Sequence, residues 1–200
     1  MKYRSFDRRG FSLIELLIVV GLIGVISAIA VPMMGNLLGF YRLSGDARGI
    51  SNEIAVAKMR AASEFNRVRV YVNLSSKNYY LQIWDKTNNK WTIPSSMPTT
   101  TLSSNVTFTK GSVNTPPPNT QTTIGQAALC TDDSGNPIAG TACVMFNSRG
   151  IPIDSTFSPT GDDALYVSDG TAVIGVTVAA TGMIRMWRTP PTATPTWSLQ

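Results

Sequence analysis

One apolar run near the start of this chain restricts its fold more than any other feature. From Phe11 to Val31 there are 21 residues, and Glu15 is the only charged one. As a helix, a run of that length measures about 30 Å, the thickness of a bilayer core. The segment is therefore expected to cross a membrane. A carboxylate inside such a segment costs at least ~2.5 kcal/mol, which makes Glu15 a candidate functional residue.

The residues before the run set its orientation. Lys2, Arg4, Arg8 and Arg9 stand against a single Asp7. This basic excess is expected to stay on the cytoplasmic side, with the rest of the chain across the membrane. A secretory signal is the first rival, and residues 27–30 loosely offer a small-residue cleavage site. But the pattern does not break there: it continues past Pro32 into a helix-like segment. A plain single-pass anchor with an accidental glutamate is the second rival.

The stretch Gly10-Phe11-Ser12-Leu13-Ile14-Glu15, set between basic residues and an apolar run, resembles the processing site of type IV prepilins and pseudopilins. The resemblance implies cleavage after Gly10 by a prepilin peptidase that also N-methylates Phe11. It also makes Glu15 the family's signature acid, an assembly residue rather than a catalyst. Charge balance agrees with that implication. The new amine at Phe11 and the carboxylate of Glu15 are each costly alone in lipid and offset one another when subunits pack side by side. Gly21 and Gly24 permit close helix contact. Pro32 has no amide hydrogen and is expected to kink or melt the helix near residues 29–31.

The remaining chain is long enough for one globular domain. The formal net charge of +5 falls to +2 without residues 1–10, and so does not mark a nucleic-acid binder. There is no histidine, which removes most metal sites and most acid–base catalysts. No catalytic motif is present, and no enzymatic activity, cofactor or metal is expected. Residues 33–66 read as helix. Ala47, Ile50, Ile54, Ala57, Ala61 and Phe65 form one apolar stripe at spacings of three and four, while Arg42, Arg48, Lys58 and Arg60 lie mostly off it.

Beyond Asn66 the period changes to two. Strands are expected at residues 67–72, 79–84, 91–93, 106–109, 143–146, 165–167, 173–178 and 183–188, the last two as a closing hairpin. Residues 94–101 and 115–123 read as loops, and the Pro/Thr-rich tail 189–200 as extended or mobile. The predicted class is α+β and type IV pilin-like, with a long N-terminal spine helix packed on a C-terminal antiparallel β domain. Its parts are a removed leader (1–10), a transmembrane helix (11–32), the periplasmic spine (33–66), the β domain (67–188) and the tail (189–200).

A spine helix followed only by strands resembles the GspH/FimT branch of the pseudopilins. Residues 146–150 and 181–185 look like its strand–turn punctuation. That resemblance implies a minor pseudopilin, a structural subunit of a type II secretion pseudopilus in the bacterial inner membrane. Its implied partners are the prepilin peptidase/N-methyltransferase, other pseudopilins or pilins through the N-terminal helix, and secreted cargo. The alternative is a FimT-like minor pilin in pilus assembly or DNA uptake. Some FimT-like members are thought to bind DNA through a motif resembling Gly-Arg-x-Arg. Here Gly182 and Arg185 match, Met183 replaces the first arginine, and Arg188 follows. An ordinary strand is the simpler reading of that hairpin.

Cys130 and Cys143 are the only cysteines and are expected to face an oxidising compartment. A disulfide between them is the expected state, contributing about 3 kcal/mol, with two free thiols as the alternative. The pairs Asp132-Asp133 and Asp162-Asp163 carry the composition of a calcium loop but no recognised pattern, so they read as solvated loop charge.

Overall fold

The computed structural model describes residues 12–200, without the side chains of residues 31–37. Gly10, Phe11 and the leader lie outside the described residues, and so does the side chain of Pro32. The chain divides into two compact units, the first ending at Phe40 and the second running from Tyr41 to Gln200.

A single helix, α1 (Leu13–Ser63), spans the division. Pro32 falls within its assigned length and cannot donate a bond to the carbonyl of Ala28. In the second unit α1 follows the predicted stripe. Leu43, Ala47, Ile50, Ile54, Ala57 and Ala61 are all buried. Each buried isoleucine or leucine contributes about 1.5–3 kcal/mol, so this face binds the helix to the sheets. Phe65 departs from the expectation. The helix ends at Ser63, and Phe65 adopts a left-handed backbone with φ of 49°, leaving its ring 74% exposed. The amide of Asn66 donates to the carbonyl of Ala61 at 3.1 Å. This is a Schellman-type C-cap with phenylalanine where glycine is usual.

Ten strands follow. The first sheet contains β1 (Val68–Asn73), β2 (Asn78–Asp85), β3 (Lys90–Thr92), β4 (Thr100–Thr101), β5 (Thr141–Phe146) and β6 (Pro152–Ile153). Its order is β3-β2-β1-β5-β6, and β4 also pairs with β2. The second sheet contains β7 (Asp163–Ser168), β8 (Val173–Val178), β9 (Ile184–Thr189) and β10 (Ser198–Leu199), in the order β10-β9-β8-β7. All pairings are antiparallel. Val68, Val70 and Val72 of the first sheet and Leu165, Val167, Ile174 and Val176 of the second join the α1 stripe in one core.

Both sheets are also covered on their outer faces. The Ala128 carbonyl accepts from the Cys143 amide at 2.8 Å, which sets Ala128 along the outer edge of β5, and the Thr131 carbonyl accepts from Arg69 Nη1 at 2.8 Å, which brings the segment over the first sheet. At the free edge of β7, the side-chain amide of Gln126 brackets the backbone of Tyr166: its Oε1 accepts from the amide and its Nε2 donates to the carbonyl, both at 2.9 Å. On the outer face of the second sheet, Val113 and Ile124 pack with Ala164, Tyr166 and Val173.

Three local expectations need correction. Residues 106–109 form no strand. Val106 and Phe108 are buried, but only Thr107 pairs, with Ser168, before the chain turns at Gly111. Thr100 and Thr101, read as loop, add β4 to the edge of β2. The tail is held against the domain: β10 pairs with β9, and Trp197 Nε1 donates to the Thr115 carbonyl at 2.9 Å. Threonine and proline composition signals loop, while the anchoring depends on one tryptophan meeting a distant carbonyl.

Candidate functional site

The expected functional segment is the start of α1. Leu13–Ala30 is long and apolar enough to cross a membrane, with a mean hydropathy of 2.7, and none of it is buried by protein. Leu13, Ile14, Leu16, Leu17, Ile18, Leu22, Ile23, Ile26 and Ile29 expose about half or more of their surface. In water such a surface is untenable; lipid or the same face of other helices must cover it.

Glu15 lies in the first turn of α1. The Leu16 amide donates to the Ser12 carbonyl at 3.1 Å, which makes Ser12 the N-cap. Ser12 and Glu15 therefore stand at the spacing of a capping box, a local role that sequence reading had not assigned. No side-chain hydrogen bond of either residue is formed among the described residues. The Glu15 carboxylate shares a helical face with Ile18, Val19 and Leu22 and is exposed. Around Gly21 and Gly24 nothing lies within 4 Å of where a Cβ would stand. That part of the helix is open to close approach.

The other candidates lie in the second unit. Cys130 and Cys143 are joined, with their Cα atoms 4.9 Å apart. The bond fastens the covering segment to β5. Asp132 closes its own turn, accepting from the amides of Ser134 and Asn136, and Asp133 Oδ1 accepts from the Trp91 amide at 2.8 Å. Asp162 is exposed, but Asp163 corrects the reading of solvated charge. It opens β7, is 6% exposed, and its Oδ2 has no hydrogen-bond partner among the described residues. Burial, then the charges of Asp162 and Asp154, push its carboxyl up to about 7. Among the described residues no three acidic or cysteine side chains gather as metal ligands.

Arg185 and Arg188 both lie in β9, three residues apart and so on opposite faces. Arg185 is exposed and its Nε lies 3.3 Å from Met183 Sδ. A groove of about 390 Å³ places Arg185 beside Arg48 of α1, with Ile184, Met186 and Leu199. Sequence reading had not joined Arg48 to this hairpin, because 137 residues separate them.

The two strand–turn motifs at 146–150 and 181–185 meet at one side chain. Lys58 of α1 donates from Nζ to the Gly182 carbonyl at 2.9 Å. Gly182 (φ of 73°) and Gly150 (φ of 72°) both sit against Lys58. A Cβ on Gly182 would stand 2.9 Å from Lys58 Nζ and 3.0 Å from the Gly150 carbonyl oxygen. Both motifs therefore serve to lock the spine to the two sheets.

A family model described as the prokaryotic N-terminal methylation motif matches residues 6–31. No curated protein matches the chain in sequence. Two solved structures of the minor pseudopilin EpsH from the type II secretion system of Vibrio cholerae are similar to it. One has 10% identity and a TM-score of 0.37, covering 80% of this chain and 96% of that one. The other has 11% identity and a TM-score of 0.45, covering 78% and 96%. Residues 6–31 of this chain carry a prokaryotic N-terminal methylation motif.

Proposed function

We propose that this chain is a minor pseudopilin, a structural subunit of a type II secretion pseudopilus that helps export folded proteins across the outer membrane. The observation that carries the proposal is the first half of α1. It is an exposed apolar helix with one carboxylate, it follows a methylation-type cleavage site, and it belongs to the same helix that docks on a β domain.

In this reading a prepilin peptidase cuts after Gly10 and methylates the amine of Phe11. The protein then sits in the bacterial inner membrane with the β domain in the periplasm. Glu15 of one subunit pairs with the Phe11 amine of its neighbour, and burial between helices makes the two charges mutually necessary. The N-terminal end of the helix dipole favours the carboxylate near the end of the rod where that amine arises. Pro32 leaves one carbonyl without its helical donor and marks where the rod yields. The fixed second half of α1 positions the β domain against neighbouring subunits or cargo.

The test is Glu15→Leu in the native host. The variant is expected to insert and be cleaved normally but to be absent from sheared filaments. Normal incorporation refutes the assembly role of Glu15. A deletion scored in the same cultures for secreted enzymes and for surface pili tests the machine: loss of secretion with pili intact is the expected outcome, and the reverse moves the protein to a pilus.

A further inference from the structure

At the C-terminal end of α1, the second unit holds a pocket of about 320 Å³. It is lined by Phe65, Arg67, Trp84, Lys86, Asn147 and Phe157, among others. The guanidinium of Arg67 is its centre. Arg67 Cζ lies 4.5 Å from the centroid of the Trp84 ring and 4.3 Å from that of Phe157. Contact with a ring face uses the charge of a guanidinium and does not consume its N–H donors. None of those side-chain N–H groups makes a hydrogen bond or ion pair among the described residues.

The carboxylates nearby in sequence do not serve it. Asp85 is bound by the amides of Thr87 and Asn88 and by the Asn88 side chain. Asp154 is bound by the amides of Thr156 and Ser158 and by the Thr156 hydroxyl. Glu64 pairs with Arg60 at 3.6 Å. Lys86 adds a second cation: its Nζ donates to the Phe65 carbonyl at 2.8 Å, and an ammonium has two further donors. Arg67 is partly dehydrated, and burial pushes its pKa down. Among the described residues the site thus gathers two cations and is lined by no carboxylate.

The rim is apolar and held outward. Phe65 and Phe157 are 74% and 55% exposed, and both have left-handed backbones, with φ of 49° and 66°. Large side chains rarely adopt that conformation. Two such residues bordering one pocket is a concentration of backbone strain of the kind found at binding sites.

We propose that this pocket binds a carboxylate carried on an apolar peptide segment of a partner protein, with Arg67 as its anchor. The planar fork of an arginine matches a planar carboxylate through two parallel bonds. Phe65 and Phe157 cover the apolar side chains that flank it. The proposal stands on the β domain alone and holds whether or not the spine enters a filament.

The test uses the full chain in detergent micelles, calorimetric titration, and the indole resonance of Trp84 as a local reporter. Acetyl-Leu-Glu-Leu-amide presents a side-chain carboxylate, and acetyl-Leu-Leu with a free C-terminus presents a terminal one. Whichever binds tighter identifies the source, and either is expected to bind with a Kd of about 0.1–1 mM and to shift the Trp84 indole. Acetyl-Leu-Gln-Leu-amide, and Arg67→Gln with the acidic peptides, should each bind about tenfold more weakly. Phe65→Gly favours the turn, so it keeps the fold while removing one ring, and should also weaken binding. If Arg67→Gln does not fold, Arg67→Lys replaces it, with the same weakening expected from loss of the fork. Failure of both carboxylate-bearing peptides to bind more tightly than acetyl-Leu-Gln-Leu-amide, tighter binding of inorganic phosphate, or no binding at about 10 mM peptide overturns the proposal.

Discussion

Replacing Asp163 by asparagine should stabilise the β domain at neutral pH and do little in acid. Asp163 opens β7 with its carboxylate buried, shares the lining of a void of about 10 Å³ with Arg69 and Asp154, and adjoins Asp162. Its carboxyl is raised from an ordinary 3.8 to about 7, first by burial and then by the two acidic neighbours. The native state therefore binds this proton more tightly than the unfolded chain does. The stability it confers is complete below pH 3.8, declines as pH rises towards about 7, and is constant above that. At about 1.4 kcal/mol per pH unit, a span of about three units sets a ceiling of ~4 kcal/mol. Relaxation of the surroundings lowers this to about 1–3 kcal/mol. Asparagine has no charge to bury, and its added N–H donors cost about 1 kcal/mol independently of pH. The assay is urea unfolding of wild type and Asp163→Asn, followed by circular dichroism at steps from about pH 4 to about pH 8. The stability difference should grow in favour of the variant as pH rises and then level off. A difference that stays flat, or that grows towards acid, refutes the reasoning.

Two further outcomes are expected from the same unfolding assay. Gly182→Ala forces a Cβ to within 2.9 Å of Lys58 Nζ at a left-handed position, and should cost about 1–3 kcal/mol in the urea midpoint analysis. Reducing the bond between Cys130 and Cys143, which closes a sequence separation of 13, should cost about 3 kcal/mol and expose the segment over β5 to hydrogen exchange.

Much of the architecture was legible because it is written in short-range periodicity. Spacings of three and four marked the buried face of α1 from Ala47 to Ala61, and alternation marked β1 and, less sharply, β2. Phe65 continued the same spacing but left the core, because the chain reverses one turn earlier than the pattern suggests. The candidate sites divide in the same way. Gly10, Phe11 and Glu15 form a contiguous signal that needs no fold to be read. The pocket around Arg67 does not, since Trp84 and Phe157 reach it from 17 and 90 residues away.

The amino-acid order alone marks an apolar helix long enough to cross a membrane with one acid in it, a helical stripe after it and a run of strands beyond that. Each of those follows from local hydrophobic period and from the cost of charge in lipid. Only the tertiary structure decides that Asp163 is buried, that Lys58 joins two glycine turns, that the tail returns to β9, and that Arg67 lies over two rings in a pocket lined by no described carboxylate. Those features depend on contacts between residues far apart in the chain. A local pattern records which face of an element is apolar, but not which distant element will meet it.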